Sequence, residues 1–308
     1  MQANQITFPL GLLLLCYFFV CCHSDSTTQE DKEPAATSLN GEPLYASAPS
    51  EKILIQLQEK EHQYRIREDD PDNIIWYGRF LAYAGRYKEA IAIFSEGIKR
   101  FPEDARFYRH RGHRYITIRE FEKSIEDLKK AALLIDGKEN QIEPDGLPNA
   151  QNIPVSTLHG NIWYHLGLAY YLQHDFTAAL TAFINCLRSG SNDDNIVSAS
   201  HWIYTIMCRI NRSNDHDSVL DRIDTTMNII ENFSYHKLCL LYKGAITLDQ
   251  ARRDLPEGPA MDAFEYGVAR WYACQGNQDK CDQLLYEIVS GEGWASFGYI
   301  AAEADLYQ

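Results

Sequence analysis

The sequence predicts an all-α fold, a right-handed superhelix of stacked helical hairpins closed by a C-terminal capping helix. Two observations predict it. One residue pattern recurs in three clear copies, the first two offset by about 34 residues, the period of a two-helix unit. Within each copy small and large apolar residues hold fixed slots, as helices in close contact require.

The chain opens with an uncharged apolar run, FPLGLLLLCYFFVCC, over residues 8–22. Its length suits the apolar region of a signal peptide and is short for a membrane-spanning helix. The segment before it, MQANQIT, carries no Lys or Arg. Residues 1–22 are therefore read as a signal peptide. HSDSTTQEDKEPAATSLNGEP follows, rich in Ser, Thr, Glu and Pro. Such a stretch buries too little apolar area to order itself, so residues 23–48 are expected to form a disordered polar tether. A cysteine closing the apolar run ahead of a tether resembles a bacterial lipoprotein. That resemblance implies a lipid on Cys21 or Cys22, with cleavage near Ser24 as the alternative. It also implies an exported, lipid-anchored protein, periplasmic or attached to the outer membrane or cell surface.

Residues 51–68 are expected to form a first helix, with Ile53, Leu54 and Leu57 at helical spacing. The solenoid as a whole is placed over residues 49–308. The first repeat, WYGRFLAYAGRYKEAIAIFSEGIKRFP, begins at Trp76, and the second, RHRGHRYITIREFEKSIEDLKKAALLI, at Arg109. Gly78 pairs with Gly112, Leu81 with Tyr115, Tyr87 with Phe121, Phe94 with Leu128 and Gly97 with Ala131. A third copy from Asn161 places Trp163, Leu166, Gly167, Tyr170, Phe176, Ala179, Phe183 and Cys186 in the same slots. Weaker copies follow from Ser200, Tyr235 and Phe264, and residues 294–306 supply the capping helix. DQARRDLPEGPA, within the fifth unit, has no helical period.

This order of residues resembles the tetratricopeptide repeat. Trp163, Leu166, Gly167, Tyr170, Ala179 and Phe183 fit that pattern, as do Gly78, Ala90, Phe94 and Pro102. The resemblance spans roughly residues 71–306 and implies tetratricopeptide-type helical hairpins in a right-handed superhelix. One insertion interrupts it, residues 136–160, with Pro144, Pro148 and Pro154 and turn signals at Asp145-Gly146 and Pro148-Asn149. Long aperiodic loops are commonly functional, and this one, ending in apolar Ile153, Val155 and Leu158, is expected to pack on the solenoid.

In this family the first helix of each unit lines the concave groove. Counting family groove positions places Asp72, Arg79, Arg106, Arg109, Arg209, Lys243 and Arg270 there. His113, His201, His236, Tyr83, Asn161, Tyr164, Tyr171 and Tyr266 join them. Six of the seven charged residues are basic, whereas the chain has 43 acidic against 29 basic residues and a net charge of −14. A basic concavity in an acidic protein focuses its field on an anion, and arginine offers a bidentate fork for carboxylates. The acidic whole repels phosphate backbones, so no nucleic-acid partner is expected.

The expected function is therefore a non-catalytic binding or scaffold protein of the cell envelope, holding an acidic peptide or protein segment. One alternative is a carbohydrate or small-molecule binder using Tyr83, Tyr164, Tyr171 and Tyr266. Another is an assembly factor of an outer-membrane complex. No GxSxG, HExxH, phosphate loop or dinucleotide fingerprint occurs, so no enzyme activity, cofactor or metal is expected. His110 and His113, three apart on one helix, are read as hydrogen-bonding residues. Cys186, Cys208, Cys239, Cys274 and Cys281 form no zinc spacing and read as small buried hydrophobes. The alternative is a Cys274–Cys281 bridge in an oxidising compartment.

Overall fold

The computed structural model describes Met1, residues 33–210 and residues 217–308. Apart from Met1, the expected signal peptide with Cys21 and Cys22, and residues 23–32 of the expected tether, lie outside the described residues. Among the described residues no helix is long and apolar enough to cross a membrane.

Residues 34–48 correct the tether expectation. They form a small hairpin of β1 (Ala36–Thr37) and β2 (Pro43–Leu44), paired antiparallel. Ala36 is buried, and Ala35, Leu39, Leu44 and Ala46 pack on the main core. Leu39 donates its backbone N–H to Glu303 at 2.9 Å, and Trp294 Nε1 donates to the Tyr45 carbonyl at 2.8 Å. The segment is polar on average, but its few apolar residues meet a preformed surface.

α1 (Glu51–Ile66) starts at Ser50, whose side chain accepts from Ile53 N. It ends two residues earlier than expected. Leu57 is buried, whereas Leu54 faces solvent. Four hairpins then carry the repeat pattern: α2 (Pro71–Tyr83) with α3 (Tyr87–Arg100), α4 (Ala105–Thr117) with α5 (Phe121–Ile135), α6 (Leu158–Leu172) with α7 (Phe176–Ser189), and α11 (Pro259–Cys274) with α12 (Gln278–Val289). Asp70, Asp104 and Thr157 cap the first three hairpins, each accepting from a first-turn N–H. The small residues let the paired helices touch. A Cβ on Gly78 would meet Phe94 at 2.5 Å, and one on Gly112 or Gly167 would meet Leu128 or Phe183 at 2.8 Å.

The middle of the stack is irregular. α8 (Asp193–Arg209) is a full first helix, but of its partner the described residues hold only a short 3-10 turn, Asp217–Leu220. Residues 221–232 then run without helix, and carboxylates at the start of α8 help pin them, Asp193 accepting from Asn228 N–H at 2.7 Å. Asp194, buried, accepts from the N–H groups of Ile230, Glu231 and Asn232 at 3.0, 2.8 and 2.7 Å. α9 (Phe233–Tyr242) and the short α10 (Leu248–Arg252) lead to the last hairpin. α10 lies where the sequence showed no helical period, and a Thr247–Gln250 capping box starts it.

α13 (Phe297–Tyr307) packs on α11 and α12 as the expected cap and also reaches α6. Turn residues at the same place in two hairpins meet it. Arg119 and His174 hold φ of 68° and 58°, at the position that Gly85 and Gly276 occupy in the first and last hairpins. A side chain there is strained, and both residues use it to reach α13. Arg119 pairs with Glu303 at 2.7 Å, and His174 lies 3.6 Å from Asp305.

The cysteine pairing is also a correction. Cys208, at the end of α8, is bridged to Cys274, at the end of α11. Cys281, which the alternative joined to Cys274, is buried and free, as are Cys186 and Cys239.

Candidate functional site

The insertion packs against α2, α4 and α6, consistent with the expectation that it packs on the solenoid. Arg79 Nη1 donates to the Pro144 carbonyl at 2.9 Å, and Gly146 sits against the Tyr83 hydroxyl. Glu143, buried, pairs with Arg109 at 3.0 Å and accepts from the Asn161 side chain.

Beneath this loop four of the predicted residues converge. Arg79 and Tyr83 from α2, and Arg109 and His113 from α4, line a cavity of about 120 Å³. His110 and Arg114, absent from the predicted groove set, complete its polar wall. Arg79 Nε and Nη2 donate to the Tyr83 hydroxyl at 3.3 and 3.2 Å, and its guanidinium lies 4.3 Å over the Trp76 ring. Arg109 Nη1 donates to His110 Nδ1 at 2.9 Å, which leaves the proton of a neutral His110 on Nε2. The Nε of Arg109 is buried without a hydrogen bond.

Arg114 differs from the other two arginines. Its guanidinium stands 5.8 Å over the Tyr87 ring and makes no hydrogen bond or ion pair among the described residues. The side chain is only partly covered. Protein nevertheless surrounds it closely, and burial, with Arg109 and Arg79 adding repulsion, pulls it down to about 10. His110 and His113 are held well below the ordinary histidine range, by burial first and then by neighbouring arginines. Both are neutral donors or acceptors at pH 7.

The cavity adjoins a wider cleft of about 550 Å³, since Tyr83 and His113 line both. Residues 46–50, Tyr87, Trp294 and Phe297 form much of its wall. A third hollow, of about 260 Å³, lies beyond Phe297 and is lined by Asn161, Tyr164, Asn195 and Tyr235 among others.

The remaining predicted residues do not join one strip. Arg106 faces outward and is neutralised by Asp104 and Asp72, each at 2.6 Å. Arg209 and Arg270 converge on Asp305 of α13, Arg270 at 3.4 Å. Burial pushes Asp305 up, but His174 and the two arginines outweigh it and hold it below the usual carboxylate range. The lower part of the expected cationic groove is thus filled by an acidic helix of the same chain.

Tyr171 and Tyr266 share a hydrogen bond at 2.5 Å and are fully buried, so they offer no stacking face. Tyr164 is tied to Tyr235 at 2.7 Å and accepts from Trp202 Nε1 at 3.0 Å. His201 is buried, 3.0 Å from the Tyr242 hydroxyl. His236 donates to the Asp224 carbonyl at 2.8 Å, and Lys243 donates to the carbonyls of Leu220, Asp221 and Ile223. Both hold the irregular 221–232 segment.

A helical signal could have found Arg114. Arg109, His110, His113 and Arg114 fall at i, i+1, i+4 and i+5 on one helix and so share a face. The family groove positions omit His110 and Arg114, which join the cavity through the face they share with Arg109 and His113.

The tetratricopeptide repeat family model matches residues 71–132, from the start of α2 into α5. Among solved structures it is similar to YrrB, described as a TPR protein with an unusual peptide-binding site. Identity is 13% over 75% of this chain and 91% of that one, with a TM-score of 0.43. It is also similar to nearly identical TPR-like repeats of a Podosopora anserina kinesin light chain. There identity is 12% over 74% and 95% of the two chains, with a TM-score of 0.41. No curated protein matches the chain.

Proposed function

We propose that this protein is a non-catalytic scaffold that holds a peptide or protein segment carrying an acidic group. The observation that carries the reading is the concave cleft floored by the arginine cavity. Its walls are Tyr83, Tyr87, Trp294 and Phe297, and its inner end presents Arg109 and Arg114. Aromatic walls supply contact area at low entropic cost, and inner cations select the sign of what enters. The groove meant here is confined to the α2–α4 end, because Asp305 already neutralises Arg209 and Arg270.

An exported, envelope-attached location is part of the proposal. Its support is the uncharged run of residues 8–22, followed by a polar stretch. The Cys208–Cys274 bridge supports it too, since disulfides persist in oxidising compartments. Lipid attachment at Cys21 or Cys22 remains the form of anchor the sequence favours.

The test is capture from a random peptide library on the immobilised full chain at low and high salt. Acidic peptides should be enriched, and added salt should weaken their capture. Enrichment of neutral or basic peptides, or salt-independent capture, would overturn the acidic-segment reading.

A further inference from the structure

We infer that the cavity between Arg79, Arg109 and Arg114 is a binding site for a single oxyanion group, a carboxylate or a phosphate, with Arg114 as its principal partner. This rests on the binding reading above and names the chemical group that the inner end of the cleft takes.

Buried charges in proteins are paired or hydrogen-bonded, because an unpaired one is costly in low dielectric. Arg109 meets that condition through Glu143 at 3.0 Å, and Arg79 through the Pro144 carbonyl and the Tyr83 hydroxyl. Arg114, only partly covered, has no partner among the described residues except the face of Tyr87. Glu143 is already shared between Arg109 and Asn161. Asp145, the next carboxylate along the insertion, feels the charge of Arg79 but makes no ion pair among the described residues. The cavity therefore keeps an excess of positive charge that the chain itself does not cancel.

Donor chemistry points the same way. Arg114 offers the N–H groups of a fork that matches oxyanions, and the buried Nε of Arg109 has no acceptor. His110 and His113, kept neutral by burial and by the arginines, can donate without adding charge. A volume of about 120 Å³ fits an anionic group and not a whole ligand. The body of the ligand then extends past Tyr83 and His113 into the aromatic cleft. A bound oxyanion would complete the pairing that the rest of the fold observes elsewhere, at Arg106, Arg111, Arg119 and Arg209.

The experiment titrates the full chain with acetate and, separately, with inorganic phosphate in low-salt, otherwise non-coordinating buffer. The readout is histidine side-chain NMR, since His113 and His110 line the cavity. Saturable shifts of these two rings are expected with at least one anion. The tighter of the two identifies the source as carboxylate or phosphate. Arg114→Gln should weaken that binding by about tenfold or more, and Arg114→Lys should recover part of it. Arg106→Gln, outside the cavity, should leave binding unchanged. Saturable binding that survives Arg114→Gln, or no saturable shift with either anion, would overturn the assignment. If Arg114→Gln loses its native melt, Arg114→Lys alone decides, since it keeps the charge but not the fork; affinity equal to the parent then overturns the role given to the guanidinium. Peptide capture that is indifferent to Arg114 would sink this inference and leave the binding function standing. Anion binding without peptide capture would do the reverse.

Discussion

Arg119 and Glu303 stand 184 residues apart in sequence and meet at 2.7 Å with side chains only 3% and 2% exposed. Arg119 also donates to the carbonyls of Thr117 and Trp294 at 2.6 and 2.8 Å. One residue thus ties the turn of the second hairpin to the C-terminal helix. Removing one partner of a buried pair leaves an uncompensated charge, which typically costs about 3–5 kcal/mol. Glu303→Gln should therefore lower stability by that order in urea unfolding. The double variant Arg119→Met/Glu303→Met should lose less than the single one. A single variant no worse than the double would show that the pair does not close the fold.

The disulfide gives a covalent check of how the later repeats stack. A digest without reductant should yield a linked peptide pair containing Cys208 and Cys274. Closing a loop of 66 residues stabilises by about 4 kcal/mol in the chain-entropy account. Reduction should accordingly lower the melting temperature. A Cys274–Cys281 link instead would mean that α8 and α11 do not neighbour each other.

His201 predicts a pH dependence. It is fully buried between Tyr235 and Tyr242, and burial pulls it down to about 3. Above the unfolded value of about 6.5 both states are neutral and its contribution is constant. As pH falls below that, the unfolded state binds the proton and the folded state does not, so stability is lost until about pH 3. At pH 5 the loss from this one residue is about 2 kcal/mol. His201→Gln should flatten the slope of unfolding free energy between pH 7 and 5. An unchanged slope would place the titrating group elsewhere.

Gly112 reports on the register of the repeat. Its missing side chain is replaced by Leu128, 2.8 Å from where a Cβ would stand. Gly112→Leu should destabilise by at least about 1–3 kcal/mol through overpacking. Melting like the parent would mean that the two helices are not in contact there.

The parts of the molecule that were legible in the sequence are those with a period. Gly78, Gly112 and Gly167 announced the hairpins because each small residue answers a large one on its partner helix. The hairpin at residues 34–48 was not legible, since its order comes from contacts with residues far along the chain, such as Glu303 and Trp294. The site was half legible for a related reason. Arg79, Arg109 and His113 sit at groove positions on regular helices, and they do converge. Arg209 and Arg270 sit at such positions too, but Asp305 reaches them from the far end of the chain. Arg114 falls outside the counted groove positions, and it lines the candidate cavity through the helix face it shares with Arg109, His110 and His113.

The most direct test of the binding reading is photo-crosslinking of an enriched acidic peptide to two variants of the full chain. One carries a photoreactive phenylalanine at Tyr83, in the cleft, and the other at Lys129, exposed on α5. The account predicts a salt-sensitive adduct at position 83 and none at 129. An adduct at 129, or none at either position while the peptide remains bound, would contradict it.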